Sequence, residues 1–182
     1  MKYFHYFLLS ITFINVLSGC SAVDVSPSNA LTSTASQLGV EQSDIIYQQP
    51  ARFALAVPGS RFARFQLGLY TQTKDAVVLF SFDSRTKSFK QALSVPISQI
   101  HQAAIESWGM FNHLKQLQIT ENGRLLAINF NNSSDAMAGT LEETEPAYKS
   151  LLALGVAAGS PYGRVLPSEI EGFSVPIMIP SR

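Results

Sequence analysis

The sequence is poor in the residues that build catalytic and metal centres. It holds one cysteine and three histidines in 182 residues, so no disulfide can form within the chain and no Cys/His set with zinc spacing can be assembled. No serine stands in a Gly-x-Ser-x-Gly frame, and no glycine-rich phosphate loop is present. An excess of charge is lacking too. Thirteen basic against thirteen acidic residues give a formal net charge of zero, which removes the bulk positive field expected of a nucleic-acid binder. Long apolar runs are also missing: the stretch from Phe7 to Leu17 is interrupted by Ser10, Thr12 and Asn15 and falls short of the roughly 20 residues that cross a bilayer.

The short run has the makings of a cleaved leader instead. Lys2 supplies a positive n-region, Phe7 to Leu17 an apolar h-region, and Ser18-Gly19 the small residues a signal peptidase needs beside its cut. The sole cysteine follows at once. Leu17-Ser18-Gly19-Cys20 resembles the lipobox of bacterial lipoproteins, in which the cysteine thiol receives a diacylglyceryl group and type II signal peptidase cuts before it. The resemblance implies residues 1–19 as signal peptide, a mature chain beginning at Cys20, and a three-chain lipid anchor that holds the protein to a membrane. Ser21, where an aspartate would imply retention in the inner membrane, implies sorting to the outer membrane on its periplasmic side, the outer leaflet of the inner membrane being the alternative. About 163 residues then remain, enough for one domain with a real core. With Lys2 removed they carry a net charge of about minus one.

Residues 20–39 are small, polar and without periodicity, which predicts a flexible tether ahead of a single domain over 40–182. Val40 to Tyr47 reads as a strand start, Phe53, Leu55 and Val57 alternate with alanines up to the Pro58-Gly59 break, and Phe65, Leu67 and Leu69 alternate again. Ala76 to Phe82 and Phe89 to Val95 form a hairpin in which Phe82 faces Phe89, Phe80 Gln91, Val78 Leu93 and Ala76 Val95, with both faces covered. Pro96 then opens a predicted helix whose stripe is Ile97, Ile100, Ala104, Trp108 and Phe111, with Trp108 in the core and Gly109 as its stop. Asn122-Gly123 predicts a type I′ turn that pairs Glu121 with Arg124, Ile119 with Leu126 and Leu117 with Ile128. The reverse face of that ribbon, with Gln116, Gln118, Thr120, Ala127 and Asn129, is expected to be wet. Thr140-x-x-Glu143 has capping-box spacing, but Pro146 favours a helix beginning near Glu145 and using Tyr148, Leu151, Leu152 and Gly155 as its face. Ser160 to Gly163 reads as a turn, and Phe173 to Ile179 as an edge strand at most. Gly123-Arg124-Leu125-Leu126 recurs forty residues on as Gly163-Arg164-Val165-Leu166, a spacing near that of propeller blades, though two unrelated turns account for it as well.

Together these elements give an α+β domain: an antiparallel sheet of about six strands with one or two helices packed on one face. Its surface offers one segment suited to recognition, Arg52-Phe53 followed by Ser60-Arg61-Phe62-Ala63-Arg64-Phe65. Arginine interleaved with phenylalanine can hold phosphate by paired hydrogen bonds while the rings meet apolar groups, and Arg52, Arg61, Phe62 and Arg64 are the candidate partner-binding residues. Alternation that merely puts Phe in the core and Arg in water produces the same pattern. Glu142, Glu143 and Glu145 could pair for acid/base work, or could simply favour a helix start. His101 and His113 offer no ligand set. The expectation is a non-enzymatic binding or assembly module for an envelope protein or anionic lipid, with no catalytic residue, cofactor or metal and no nucleic-acid partner. A periplasmic hydrolase using acidic residues of the C-terminal half is the reading from another class.

Overall fold

A computed structural model describes residues 27–130 and 139–168. Its fold class is α+β, as expected. Helix α1 (Pro27–Leu38) is followed by β1 (Ile45–Ala56), β2 (Phe62–Ala63), β3 (Gln66–Thr73), β4 (Ala76–Asp83), β5 (Ser88–Pro96), β6 (Ile100–Trp108), β7 (Leu114–Glu121), β8 (Arg124–Phe130), α2 (Leu141–Ala153) and β9 (Leu166–Pro167). Seven strands form one antiparallel sheet in the order β5-β4-β3-β1-β8-β7-β6. Its two edges, β5 and β6, are joined by a single 3-10 turn, Ile97–Gln99, so the sheet must curl until they meet. The main core fills the inside of that curl, where Val95 of one edge and Ile100 and Ala103 of the other pack in the same cluster as Leu117, Ile128 and Phe130.

The two helices lie on opposite faces. Helix α2 covers the concave side through Ala147 and Leu151. Its start is the capping box read from sequence: the Thr140 hydroxyl accepts from the Glu143 N–H, while the Glu143 carboxylate accepts from the Thr140 N–H at 2.8 Å. Those bonds begin the helix at Leu141, five residues ahead of Pro146 rather than beside it. Past its C-cap Leu154, Gly155 closes it: the Val156 N–H reaches the Leu151 carbonyl and the Gly155 N–H the Leu152 carbonyl, a Schellman closure. Helix α1 covers the convex side, with Ala30 and Leu38 against Leu69, Val78, Phe80 and Phe89. Thr34 is buried and its hydroxyl accepts from Gln48 Nε2 at 2.7 Å. Residues 27–38, expected as part of the flexible tether, are therefore helical. Its buried residues from Ala30 onward are Ala30, Thr34 and Ala35, with Leu38 partly buried at the end, and so leave little hydrophobic signal.

The register of two hairpins repays comparison with the sequence. Asn122 and Gly123 both have positive φ, 47° and 74°, and the turn sets Glu121, Ile119 and Leu117 opposite Arg124, Leu126 and Ile128 as predicted. In β4–β5 the pairs Phe82–Phe89 and Phe80–Gln91 hold, but a bulge at Ala92 shifts the rest, so Leu79 faces Leu93 and Val77 faces Val95. The bulge turns Leu93 and Val95 onto the core side with Leu79 and Val77. Both faces of β4 are covered, as expected, while β5 is an edge.

The predicted helix after Pro96 is a strand instead. His101 is an extra residue in β6, since Ile100 pairs with Glu121 and Gln102 with Thr120. That bulge puts Ile100 and Ala103 on the core side and turns Ala104, predicted on one stripe with Ile100, to the opposite face beside Gln118. Trp108, expected in the core, is only half-buried, and Phe111 is exposed. Phe173 to Ile179 lies outside the described residues.

Candidate functional site

The wet face expected on the β7–β8 ribbon is dry. Gln116, Gln118 and Asn129 are buried there, covered by the chain that leaves α2. Residues 156–159 first run along the exposed edge of β6, where the Ala103 N–H donates to the Ala157 carbonyl at 2.9 Å and the Gly159 N–H to the Ala103 carbonyl at 2.8 Å. The chain then crosses the convex face. A glutamine side chain ends in the same donor and acceptor as a peptide group, and two glutamines use this to hold the crossing segment as a strand would. Gln116 Nε2 donates to the Val165 carbonyl at 2.9 Å and its Oε1 accepts from the Val165 N–H at 3.1 Å. Gln118 Nε2 donates to the Gly163 carbonyl at 2.8 Å and its Oε1 accepts from the Tyr162 N–H at 2.9 Å. A polar face was the right reading; an exposed one was not, because amides can be satisfied by backbone.

Beyond this strap the chain pairs with β2. The Leu166 N–H reaches the Arg61 carbonyl and the Ser168 N–H the Ala63 carbonyl, both at 2.8 Å, making the short parallel pair β2–β9. Under it Val165 packs with Leu125, Ala127, Ala63 and Phe65. The approach to β2 is set by Pro58-Gly59: the Ser60 N–H returns to the Val57 carbonyl at 2.9 Å, and Gly59 takes the positive φ of 87° that the third position of a type II turn requires.

Between that turn and the strap lies an open cleft of about 610 Å³, lined among others by Arg61, Phe62, Tyr162 and Arg164. All four side chains are exposed, Phe62 at 62%. The structure thus brings together two of the four residues singled out from sequence, Arg61 and Phe62, and adds two that sequence reasoning missed. Arg64 is exposed just past β2 and Arg52 is half-buried on β1, opposite Leu67 and Asn129; neither lines the cleft. The Gln116 and Gln118 bonds and the parallel β2–β9 pair bring Tyr162 and Arg164 to residues a hundred positions earlier, and no local pattern announces a two-residue parallel pair. Cys20 lies outside the described residues.

The ion pairs among the described residues are Lys90–Asp83, Arg124–Glu121 and Lys149–Glu145, so no described carboxylate neutralises Arg52, Arg61, Arg64 or Arg164. Two guanidinium groups beside two aromatic rings in one cleft can hold an anion by charge-assisted hydrogen bonds and its apolar substituent by ring contact. Two of the three glutamates singled out from sequence have other work. Glu143 caps α2 and Glu145 pairs with Lys149 at 3.1 Å. Asp83 sits far below the ordinary aspartate range, held there first by Lys90 at 2.8 Å and then by the Arg85 and Thr86 N–H groups of its turn. No group of three or more His, Cys, Asp or Glu side chains able to hold a metal occurs among the described residues.

Two tyrosines are shifted the other way, and both are structural. Burial, then the Glu143 charge, pushes Tyr47 up to about 12; burial, then Tyr47, raises Tyr70 well above its usual value. Both keep their protons to serve as donors, Tyr70 to Gln72 at 2.9 Å and Tyr47 to Gln49 and the Glu143 carbonyl. With Phe130 they form a set of edge-to-face rings 5.2 to 6.0 Å apart.

No protein-family model and no curated protein matches the chain. Solved structures do resemble it in outline. The Vav1 exchange factor, described with its PH and C1 domains, aligns with 70% of this chain at 11% identity and a TM-score of 0.45, and this chain spans 32% of it. The Slm1 PH domain in complex with phosphoserine aligns at 13% identity over 62% of this chain and 96% of its own, with a TM-score of 0.41. The hSac2 domain of the human phosphoinositide phosphatase Sac2 aligns at 9% identity over 79% of this chain and 89% of its own, at 0.42. A likeness this distant is one of outline, and no function follows from it.

Proposed function

We propose that this protein is a non-enzymatic binding module, anchored by acylated Cys20 to the periplasmic side of the outer membrane, whose cleft takes the anionic headgroup of an envelope lipid. The observation that carries the reading is the pairing of Arg61 and Arg164 in one cleft with Phe62 and Tyr162, with no described carboxylate to neutralise either arginine. Phosphate matches the fork of a guanidinium group, and the rings suit the glycerol and upper acyl carbons next to it. Among the described residues no helix is long and apolar enough to cross a membrane, and the Leu17-Ser18-Gly19-Cys20 motif supports attachment by lipid instead. Seven peptide steps from Cys20 to Pro27 reach at most about 25 Å, so such an anchor would hold the domain close to the headgroups.

Two experiments test the two halves. Cys20→Ala should release the chain from membranes or leave an uncleaved precursor; a variant that fractionates and migrates like the wild type, with no mass added at residue 20 of the latter, refutes the anchor. Calorimetric titration with dihexanoyl phosphatidic acid should show binding that the Arg61→Ser/Arg164→Ser variant loses. Equal binding by wild type and variant refutes the cleft.

A further inference from the structure

Away from the cleft, the tip between β6 and β7 presents apolar side chains to solvent where a polar turn would cost less. Phe111 is 93% exposed and Met110 74%, and half-buried Trp108 stands at their base. Phe111 has φ 59° and Asn112 φ 55°, left-handed conformations that a bulky residue such as Phe111 rarely adopts. The turn is closed by the Asn112 N–H to the Gly109 carbonyl at 3.1 Å, and His113 Nδ1 bonds the Met110 carbonyl at 2.5 Å. At its root, the Lys115 ammonium donates to Ser107 at 2.8 Å. The nearest acidic residue in the chain is Glu106, half-buried on β6 opposite Gln116.

We propose that this tip is a membrane wedge: Met110 and Phe111 enter the interface of an anionic bilayer, Trp108 sits at headgroup level, and His113 and Lys115 face the phosphates. Three features favour a bilayer over a protein pocket. The patch is a convex tip of two side chains, far smaller than the roughly 800 Å² per partner that a specific protein interface buries, whereas lipid needs no complementary shape. Its order, apolar at the point, tryptophan behind and the Lys115 ammonium at the root, is that of an interfacial anchor. The reach of an acyl anchor at Cys20 also makes lipid the surface the domain meets; in this one respect the inference rests on the acylation proposed above.

The chain supplies its own probe, because Trp108 is its sole tryptophan. The acylated chain, purified from membranes, would be reconstituted into phosphatidylglycerol-rich vesicles carrying lipid brominated near the headgroup end of the acyl chain. Trp108 emission should be blue-shifted and mostly quenched, and Met110→Ser/Phe111→Ser should restore most of it while the protein stays on the vesicles. Emission that is unquenched in the wild type with the chain still bound overturns the wedge and leaves the anchor standing. Equal quenching in wild type and double variant also overturns it, since Trp108 would then be near lipid without the tip's help. A chain that leaves the vesicles altogether overturns both. Arg61→Ser/Arg164→Ser should leave the quenching unchanged; its loss there would assign the contact to the cleft.

Discussion

Replacing Gln116 by methionine keeps its volume and removes its amide. In the wild type that amide lies fully buried and takes part in four hydrogen bonds: two with the Val165 backbone, one to Asn129 Oδ1 at 2.8 Å and one from Gln118 Nε2 at 3.1 Å. Val165 is itself buried, so its N–H and carbonyl cannot turn to water unless the strap lifts. A buried group left unpaired costs about 1 to 3 kcal/mol. Lifting the strap limits the total, because the loss cannot exceed what residues 160–168 contribute by packing Val165 on Leu125 and Ala127. Gln116→Met should therefore cost about 2 to 4 kcal/mol, read as a melting temperature lower by roughly 5 to 15 °C. Hydrogen exchange of the full chain locates the damage: the Tyr162 and Val165 amides should lose protection while those of β8 keep theirs. Gln102→Met is the control, since its side chain makes only bonds of 3.4 and 3.5 Å to the same segment and should cost less than about 0.5 kcal/mol. A Gln116→Met chain with unchanged melting and unchanged exchange over 162–165 would mean that the glutamines do not hold the strap.

Two further perturbations test local features. Gly123→Ala must keep φ near 74° with a Cβ present and should cost about 1 kcal/mol; an unchanged denaturant midpoint would assign the turn to another type. Asp83 favours its carboxylate in the folded chain, so the stability it adds is present above the ordinary aspartate range and is lost as pH falls through its depressed value. Its carboxyl carbon should titrate by NMR below the ordinary aspartate range, and Lys90→Ala, which removes the largest cause, should move the midpoint upward; a midpoint at the ordinary value in the wild type would refute the Lys90 contact.

The parts of this fold that could be read in the sequence are those fixed by neighbouring residues. Asn122-Gly123 dictates its turn and through it the ten paired residues of β7 and β8, and the Thr140–Glu143 spacing marks the helix start that Pro146 argues against. Bulges defeat such reading. One extra residue, Ala92, reverses which face of β5 is inward, and another, His101, puts Ile100 and Ala104 on opposite faces of β6 although a helix would align them. The candidate site was half legible for a related reason. Arg61 and Phe62 stand out as a local alternation, but their partners Tyr162 and Arg164 arrive through the Gln116 and Gln118 side chains and a parallel pair two residues long. In the sequence those glutamines look like a solvated face, because hydropathy records that a side chain is polar and not whether a backbone strand will satisfy it.

If Arg61 and Arg164 hold one anionic group between them, their contributions must be coupled, and a double-mutant cycle measures that coupling directly. Titrating dihexanoyl phosphatidic acid into the wild type, Arg61→Ser, Arg164→Ser and the double variant, at low and at physiological salt, should show each single change weakening binding by about tenfold or more. The double variant should lose less than the sum of the two, and affinity should fall as salt screens the charges. Arg52→Ser, outside the cleft, should bind like the wild type. Additive losses with no salt dependence, or a loss at Arg52 as large as at Arg61, would contradict a shared anion site in this cleft.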